Sequence, residues 1–228
     1  MSATAEQRRE RLVELFREVS TCTKCPLHET RTKAVFGAGN ADAELMFVGE
    51  APGAEEDRQG LPFVGRAGQL LNQLLGEIGL SREDVFIANV LKSRPPGNRD
   101  PLPLEIAACE PYLFEQVRLI EPRVVCTLGN FATKLLTGSP VGITKVRGTP
   151  QLHELGGRNV FMLPLLHPAA ALRTPAMKET LRADFATIPG LLSGPAPDPV
   201  PSPEEIAEAE AGGGSPPPPP ADQLDMFG

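Results

Sequence analysis

The sequence predicts an α/β fold in which helices cover both faces of a mostly parallel β-sheet. Its 228 residues are enough for one sizeable domain with a hydrophobic core. Short apolar runs alternate with helical patterns along the chain, and this alternation is typical of βαβ units. No stretch reaches the apolar length that a membrane-spanning helix needs.

Four apolar runs predict the strands, and the segments around them predict the helices. The predicted strands cover residues 44–49, 85–91, 123–128 and 159–165. The predicted helices cover residues 5–19, 68–78, 104–120, 130–136 and 176–192. Conspicuous polar segments follow the first, second and fourth strands. Because ligands of such sheets bind beyond the carboxyl ends of the strands, these segments are the first place to look for a site.

The uneven distribution of acidic residues matters for binding to nucleic acid. The formal charge of −7 at pH 7 would by itself disfavour DNA. Seven of the 29 acids lie in residues 195–228, which contain no Lys or Arg. The other 22 acids equal the 22 basic residues, so residues 1–194 are neutral and can carry a local basic face. Composition therefore neither supports nor excludes a nucleic-acid ligand.

The chain divides into a predicted domain, a linker and a terminal peptide. Residues 1–193 are expected to fold as the domain. Residues 194–220 are rich in Pro, Gly, Ala and Glu and should form an extended, disordered linker. Residues 221–228 form a terminal peptide that again contains apolar side chains. Because residues 1–11 lack the apolar segment of a signal peptide, we expect a cytoplasmic protein, in which structural disulfides are rare.

Four cysteines predict a shared metal site whose identity the spacing leaves open. Cys22 and Cys25 form a C-x2-C pair, whereas Cys109 falls in a predicted helix and Cys126 in a predicted strand. Taken alone, the last two could equally be small buried hydrophobic residues. Sites of four cysteines hold either zinc or an iron–sulfur cluster. The pattern does not choose between these two groups.

Two loops after the first predicted strand carry candidate ligand-binding residues. Glu50 and Glu56 lie in a glycine-containing segment, and their carboxylates could orient or deprotonate a water. A solvated acidic turn is the alternative. Phe63 lies in a loop between glycines and a proline, where a ring suits stacking on a planar ligand such as a base. Packing of Phe63 into the core is the alternative there.

Polar residues also follow the second and fourth predicted strands. The amide of Asn89 offers a donor and an acceptor that match the N3–H and O4 edge of uracil and mismatch cytosine. Lys92 and Arg94 follow in a Pro/Gly-rich loop and could contact phosphates. His167 could polarise a ligand oxygen. The alternatives are a turn-stabilising Asn, a solvated loop and a structural His.

An apolar and a basic side chain stand side by side near the end of the predicted domain. Leu172 could act as a wedge and Arg173 as a phosphate contact, an arrangement that can prise a base from the stack. The alternative is a leucine in the core beside a solvated arginine.

Together these segments resemble the family 4 uracil-DNA glycosylases, the iron–sulfur branch of their superfamily. The resemblance spans about residues 22–192 and implies a three-layer sandwich with a central four-stranded parallel sheet flanked by helices. It rests on seven blocks in the family's order: GEAPGAEED (49–57), GLPFVGRAGQLLN (60–72), NVLKSRPPGNRDP (89–101), AACEPYL (107–113), TLGNFATKLL (127–136), ITKVRGTP (143–150) and HPAAALR (167–173).

The resemblance implies a role for each candidate residue. Phe63 would stack on a flipped uracil, Asn89 would read its edge, and His167 would bond to O2 as the uracil anion leaves. Glu50 would contact the base and the attacking water. The other implied contacts are Ala51, Glu56 and Asn98 to the substrate or its pocket, and Leu172 and Arg173 to the minor groove of DNA. Lys92 and Arg94 are expected to contact DNA from their charge alone.

The implied activity is hydrolysis of the N-glycosidic bond of uracil in DNA by a monomer. The product is an abasic site for base excision repair, without strand cleavage. The alternatives are a non-catalytic iron–sulfur DNA-binding module, a relative that links covalently to uracil-containing DNA, and a zinc protein. Phe63, Asn89 and His167 argue against the first. A short loop from Arg94 to Arg99 without an inserted His argues against the second.

The chain departs from the family at one expected ligand of a [4Fe–4S] cluster. Many members have Cys where this chain has Ser93, and Ser is a poor substitute for a thiolate toward iron. We therefore expect Cys126 to replace it, with Cys22, Cys25 and Cys109 as the other ligands.

The terminal peptide resembles the short motif by which bacterial repair and replication proteins bind the sliding clamp. Residues 223–227, Gln-Leu-Asp-Met-Phe, combine a Gln with apolar anchors. A clamp partner is thus expected, although a five-residue match also arises by chance.

Overall fold

The computed structural model describes residues 4–198, which are built around a six-stranded mixed β-sheet. The strand order is β1-β3-β2-β4-β6-β5. The four central strands are parallel, and β1 and β5 pair antiparallel at the two edges. The strands are β1 Ala38–Gly39, β2 Leu45–Gly49, β3 Phe86–Asn89, β4 Val124–Leu128, β5 Gln151–Leu155 and β6 Arg158–Leu165.

Ten helices and one 3₁₀ turn lie before, between and after the strands of the described region. The turn is Pro96–Asn98. The helices are α1 Ala5–Ser20, α2 Leu27–Thr30, α3 Ala54–Gln59, α4 Arg66–Glu77, α5 Pro103–Ile120, α6 Asn130–Thr137, α7 Ile143–Val146, α8 Pro168–Ala171, α9 Pro175–Phe185 and α10 Ile188–Ser193. None of the helices within residues 4–198 is both long and apolar enough to cross a membrane.

The sheet separates two hydrophobic cores, because successive side chains of a strand point to opposite faces. In β2, Met46 and Val48 pack with α1 and α5, whereas Leu45 and Phe47 pack with α4, α9 and α10. Both faces of the central strands are buried, as is usual for parallel sheets. The three-layer α/β prediction and its four parallel strands are therefore confirmed.

The structure differs from the sequence prediction at both sheet edges and at one helix. The edge strands β1 and β5 were not predicted, so the sheet has six strands rather than four. The single helix predicted over residues 176–192 is two helices, α9 and α10, separated by Ala186 and Thr187. Pro189 explains the interruption, because proline is accepted in the first turn of a helix but not in its interior.

The register of the parallel strands brings the predicted polar segments together. Gly49, at the end of β2, pairs with Asn89, at the end of β3. On the other side, Gly129 N donates to Leu165 O, which brings the end of β4 beside the segment leading to His167. The carboxyl ends of all four parallel strands thus meet at one edge of the domain.

Candidate active site

A cavity of about 560 Å³ opens at the carboxyl ends of the parallel strands. It brings together all seven residues that the sequence predicts to be catalytic or substrate-binding. These are Glu50, Ala51, Glu56, Phe63, Asn89, Asn98 and His167. Arg173 lines the same cavity, and Leu172 lines a smaller depression beside it.

Asn89 presents an unused acceptor to this cavity. Its side chain is buried, and Oδ1 has no hydrogen-bond partner among the described residues. A buried acceptor without a partner costs about 1–3 kcal/mol, so the geometry favours a ligand that supplies a donor. Gly49 makes room for this arrangement: a Cβ there would lie 2.4 Å from Asn89 Oδ1 and 2.7 Å from the Phe63 ring.

Phe63 is held in a strained backbone conformation. Its φ of 51° lies in the left-handed region, which costs a non-glycine residue about 1–3 kcal/mol. Gly68 lets helix α4 approach closely, because a Cβ there would lie 1.6 Å from Phe63 O. The Phe63 ring lies 5.7 Å from the His167 ring, centroid to centroid, at an interplanar angle of 30°.

Two charged side chains hold the backbone of the Phe63 loop through hydrogen bonds. The carboxylate of Glu56 accepts hydrogen bonds from Val64 N at 2.9 Å and Gly65 N at 3.0 Å. The guanidinium of Arg82 donates to Pro62 O at 2.7 Å and to Phe63 O at 3.0 Å. Sequence reasoning missed Arg82, which lies 19 residues from Phe63 in an ordinary charged turn.

His167 is fixed in one neutral tautomer. It caps α8, and its Nδ1 accepts a hydrogen bond from Ala169 N at 3.1 Å. Because Nδ1 is the acceptor, the proton resides on Nε2, which is left as the donor available to a ligand. Burial lowers the pKa of His167 to about 4, so the imidazole is neutral at pH 7.

Glu50 adds an acid to the same cavity. Burial, with a further contribution from the charge of Asp100, raises the pKa of the Glu50 carboxyl group. Glu50 and His167 also line an adjoining cavity of about 570 Å³, which reaches Lys134 on α6. Glu50 and His167 are the two residues that line both cavities.

Two arginines of the loop after β3 pair with side chains nearby, one within the loop and one on helix α5. Arg94 Nε donates to Asn98 Oδ1 at 2.7 Å, which holds Asn98 at the cavity with a φ of 54°. Arg99 forms a bidentate pair with the buried Glu105, at 2.9 and 2.5 Å. Arg94 therefore supports the cavity directly, and its predicted contact to DNA stays a prediction.

Lys92 corrects a prediction from the sequence. Expected at the DNA surface, it is only 2% exposed. Its Nζ donates to Asn89 O at 2.8 Å and to Gln116 Oε1 at 2.6 Å. Burial lowers the pKa of Lys92 to about 7. Lys92 therefore supports Asn89 from behind and cannot reach a phosphate.

The cysteines separate into a group of three and one remote residue. Cys22, Cys25 and Cys109 belong to the core between the sheet and helices α1 and α5. Cys126 is fully buried in the opposite core, while its neighbour Val125 faces the three-cysteine side. The expectation that Cys126 supplies the fourth ligand is therefore wrong, because strand alternation turns its thiol to the other face of the sheet.

The fit of an iron–sulfur cluster to these residues is incomplete. Three thiols lie on one face, and a four-thiolate site needs one more. Within residues 4–198, no three His, Cys, Asp or Glu residues form a group suited to a single metal ion. This absence does not bear on a cluster, since each thiolate of a cluster binds a different iron atom.

The arrangement around the cavity defines a class of ligand. An aromatic ring, a buried amide with an unused acceptor and a neutral imidazole donor surround one space of limited size. These groups suit a planar heterocycle whose edge carries an N–H beside a carbonyl oxygen.

Comparisons with known proteins agree with this class. The model of the uracil DNA glycosylase superfamily matches residues 36–186. A type-4 uracil-DNA glycosylase of Thermotoga maritima is 52% identical over 167 residues, which cover 72% of this chain and 85% of that relative. That of Sulfurisphaera tokodaii is 49% identical over 75% of this chain and 80% of its own length. The type-4 uracil-DNA glycosylase of Archaeoglobus fulgidus is 46% identical over 78% of this chain and 92% of its own length.

The chain therefore belongs to the uracil-DNA glycosylase superfamily and, within it, to the type-4 family.

Proposed function

We propose that the cavity receives a uracil flipped out of DNA and hydrolyses its N-glycosidic bond. Membership in the type-4 family makes the chain a uracil-DNA glycosylase that acts in DNA repair, a hydrolase of N-glycosyl bonds. The observation that carries the residue-level proposal is the buried Asn89 Oδ1 without a partner. It lies beside the Phe63 ring and in a cavity that it shares with His167.

Base selection rests on Asn89 and Phe63 in this proposal. Asn89 Oδ1 accepts the N3–H of uracil, and its amide group donates to O4. Cytosine has an acceptor at N3 and a donor at C4, so both hydrogen bonds are lost and the buried amide stays unpaired. Phe63 stacks on the ring, which holds the flipped base without reading its edge.

Bond cleavage is mainly electrostatic in this proposal. When the bond from C1′ to N1 breaks, its electron pair leaves with the base, and negative charge develops on O2. The Nε2–H of neutral His167 donates to O2 as this charge develops. Loss of one such donor costs about 2.7–4 kcal/mol in a well-studied enzyme. Glu50 positions a water molecule and accepts its proton as the hydroxyl adds to C1′.

The reaction ends at an abasic site. Among the described residues that line the cavity there is no lysine, and Lys92 is engaged beneath Asn89. Lys134 lines only the adjoining cavity, so no described lysine lines the cavity proposed for the flipped base. This supports an enzyme that forms no Schiff base with the sugar and does not cleave the strand. Leu172, 39% exposed at the end of α8, is proposed to fill the space left by the base. Arg173 and Arg94 are proposed to contact the flanking phosphates.

The activity can be tested on uracil-containing oligonucleotides. The full chain is incubated with single- and double-stranded substrates, followed by alkali cleavage and measurement of free uracil. We expect alkali-labile sites and an equal amount of released base. Oligonucleotides with thymine or cytosine at the same position serve as controls. Absence of cleavage would refute the proposed function, and a denaturation-resistant complex without free base would indicate covalent binding instead.

The type-4 family is known for an iron–sulfur cluster. We propose that this chain binds one through Cys22, Cys25 and Cys109, which share one face of the sheet. The cluster would tie the loop after α1 to helix α5, and no step of the reaction is assigned to it.

We further propose that residues 223–227 bind the sliding clamp. Residues 223–227 lie outside the described part of the chain, as does the proposed linker 194–220 from residue 199 onward. The sequence motif is therefore the only support for this proposal. Fluorescence anisotropy with a labelled 215–228 peptide tests the proposal. Micromolar binding that Phe227→Ala abolishes is expected, and binding unchanged by that substitution would exclude it.

The remaining proposals concern the state of the protein in the cell. We propose that it acts as a monomer in the cytoplasm, with residues 1–193 as its catalytic domain. Light scattering of the full chain, with and without uracil-containing DNA, would reveal a dimer if this proposal is wrong.

A further inference from the structure

The loop after β3 borders the three-cysteine side of the sheet. The backbone N–H of Lys92 donates to Cys109 Sγ at 3.4 Å. This contact brings the next residue, Ser93, to the same region of the core, where its side chain is only 3% exposed. Ser93 is thus adjacent in the chain to a residue that contacts one of the three thiols directly.

A second contact links Ser93 to the loop that carries the other two thiols. Arg31 Nη1 donates to Ser93 Oγ at 3.1 Å, and Arg31 Nη2 donates to Ser20 O at 3.3 Å. Ser20 ends α1, directly before the Cys22–Cys25 loop. Ser93 is therefore connected to Cys109 on one side and to the Cys25 loop on the other.

We propose that Ser93 occupies the fourth corner of the cluster site, so that three irons bind thiolates and the fourth faces a hydroxyl oxygen. This inference depends on the cluster of the proposed function. Cys126 cannot take that corner, because the backbone of β4 separates it from the three thiols. A neutral hydroxyl is a harder and weaker ligand for iron than a thiolate.

The consequence is an iron that exchanges more easily than the other three. Release of one Fe²⁺ from a [4Fe–4S]²⁺ cluster leaves [3Fe–4S]⁰, so charge balances without transfer of an electron. A competing chelator of ferrous iron is then sufficient to remove that iron under anaerobic conditions. A cluster with four thiolates lacks such a site.

The test compares the full chain with Ser93→Cys after anaerobic reconstitution with ferrous iron and sulfide. Iron, sulfide and visible absorbance are measured before and during incubation with the chelator. We expect the unmodified chain to lose one iron in four at least about tenfold faster than Ser93→Cys. Ser193→Cys, which adds an exposed thiol on α10, is the control and should behave like the unmodified chain.

Cys126→Ala and Cys126→Val complete the experiment, and circular dichroism verifies that each variant is folded. Both are expected to keep the iron and sulfide content of the unmodified chain. Loss of the cluster in folded Cys126 variants, or equal iron release from Ser93→Cys and the unmodified chain, would overturn the inference. Failure of the chain to bind any sulfide would overturn both the cluster and the inference. Release of uracil is measured separately, and this measurement tests only the proposed glycosylase activity.

Discussion

The two walls of the cavity position their residues by different physical means. On the strand wall, Asn89 is the last residue of β3 and His167 follows β6, and the hydrogen bonds of these parallel strands already fix the backbone there. On the loop wall, Phe63 stands in a left-handed conformation that local structure does not favour. Glu56 and Arg82 hold that loop through its backbone groups. A functional side chain at a strand end therefore needs support only from the residues that pack behind it, whereas one in the loop also needs hydrogen bonds that hold its backbone.

The largest expected effect comes from removing the donor of the strand wall. His167→Ala should lower kcat by about 10²–10³-fold, because the negative charge on O2 loses its hydrogen bond. Single-turnover release of uracil measures the effect. His153→Ala, a histidine of the edge strand β5, is the matched control and should keep full activity. A loss below tenfold would remove His167 from the proposed chemistry.

Weakening the loop wall should have a smaller and different effect. Arg82→Met removes the donors to Pro62 O and Phe63 O, so the stacking ring is held less precisely. We expect kcat/KM to fall by about tenfold, mainly through KM, since a loosened stacking ring affects binding first. Arg58→Met, at an exposed position of α3, controls for the lost charge. A pure loss of kcat with unchanged KM would contradict this role.

The support behind the strand wall is tested by Lys92→Met. The substitution leaves Asn89 O and Gln116 Oε1 without their donor, at a cost of about 1–3 kcal/mol in the free energy of unfolding. Urea unfolding at matched iron content measures this change. Exposed Lys145→Met should leave the free energy within about 0.5 kcal/mol. Equal stability of the two variants would mean that Lys92 is not a support.

A further effect is expected from pH. Because the pKa of His167 is lowered to about 4 from an ordinary 6.5, the folded protein binds fewer protons than the unfolded chain in that window. Stability should therefore decline as the pH falls from about 6.5 to about 4, and His167→Gln should flatten part of this slope. NMR titration of the imidazole should show the Nε2–H tautomer at pH 7. A midpoint near 6.5 would contradict the fixed neutral ring.

The sequence predicted the parallel core well because its strands are short, wholly apolar runs. The edge strands were missed for opposite reasons: β1 has two residues, and β5 contains polar side chains. The sequence also did not indicate the face of the sheet to which the Cys126 side chain points, because β4 is buried on both faces. Every residue of β4 is buried, so no polar alternation marks one face, and only packing against the helices does.

The candidate site was predictable where a residue lies in a distinctive local segment. Phe63, Asn89 and His167 each stand at a strand end or in a glycine-rich loop. Arg82 and Lys92 were not predictable, since their roles arise from contacts with backbone groups that only the fold brings near. A surface lysine and a buried lysine look alike in sequence when both follow a strand.

Gly49 has a consequence for any attempt to change the preferred base. Asn89 Oδ1 and the Phe63 ring already occupy the space where a Cβ of residue 49 would lie, so the main chain of Gly49 forms the bottom of the pocket. Variation at this position can only shrink the volume offered to a base. A broader substrate range would have to come from other lining residues such as Ala51 or Asn98, where a changed side chain would not reduce the volume above Gly49.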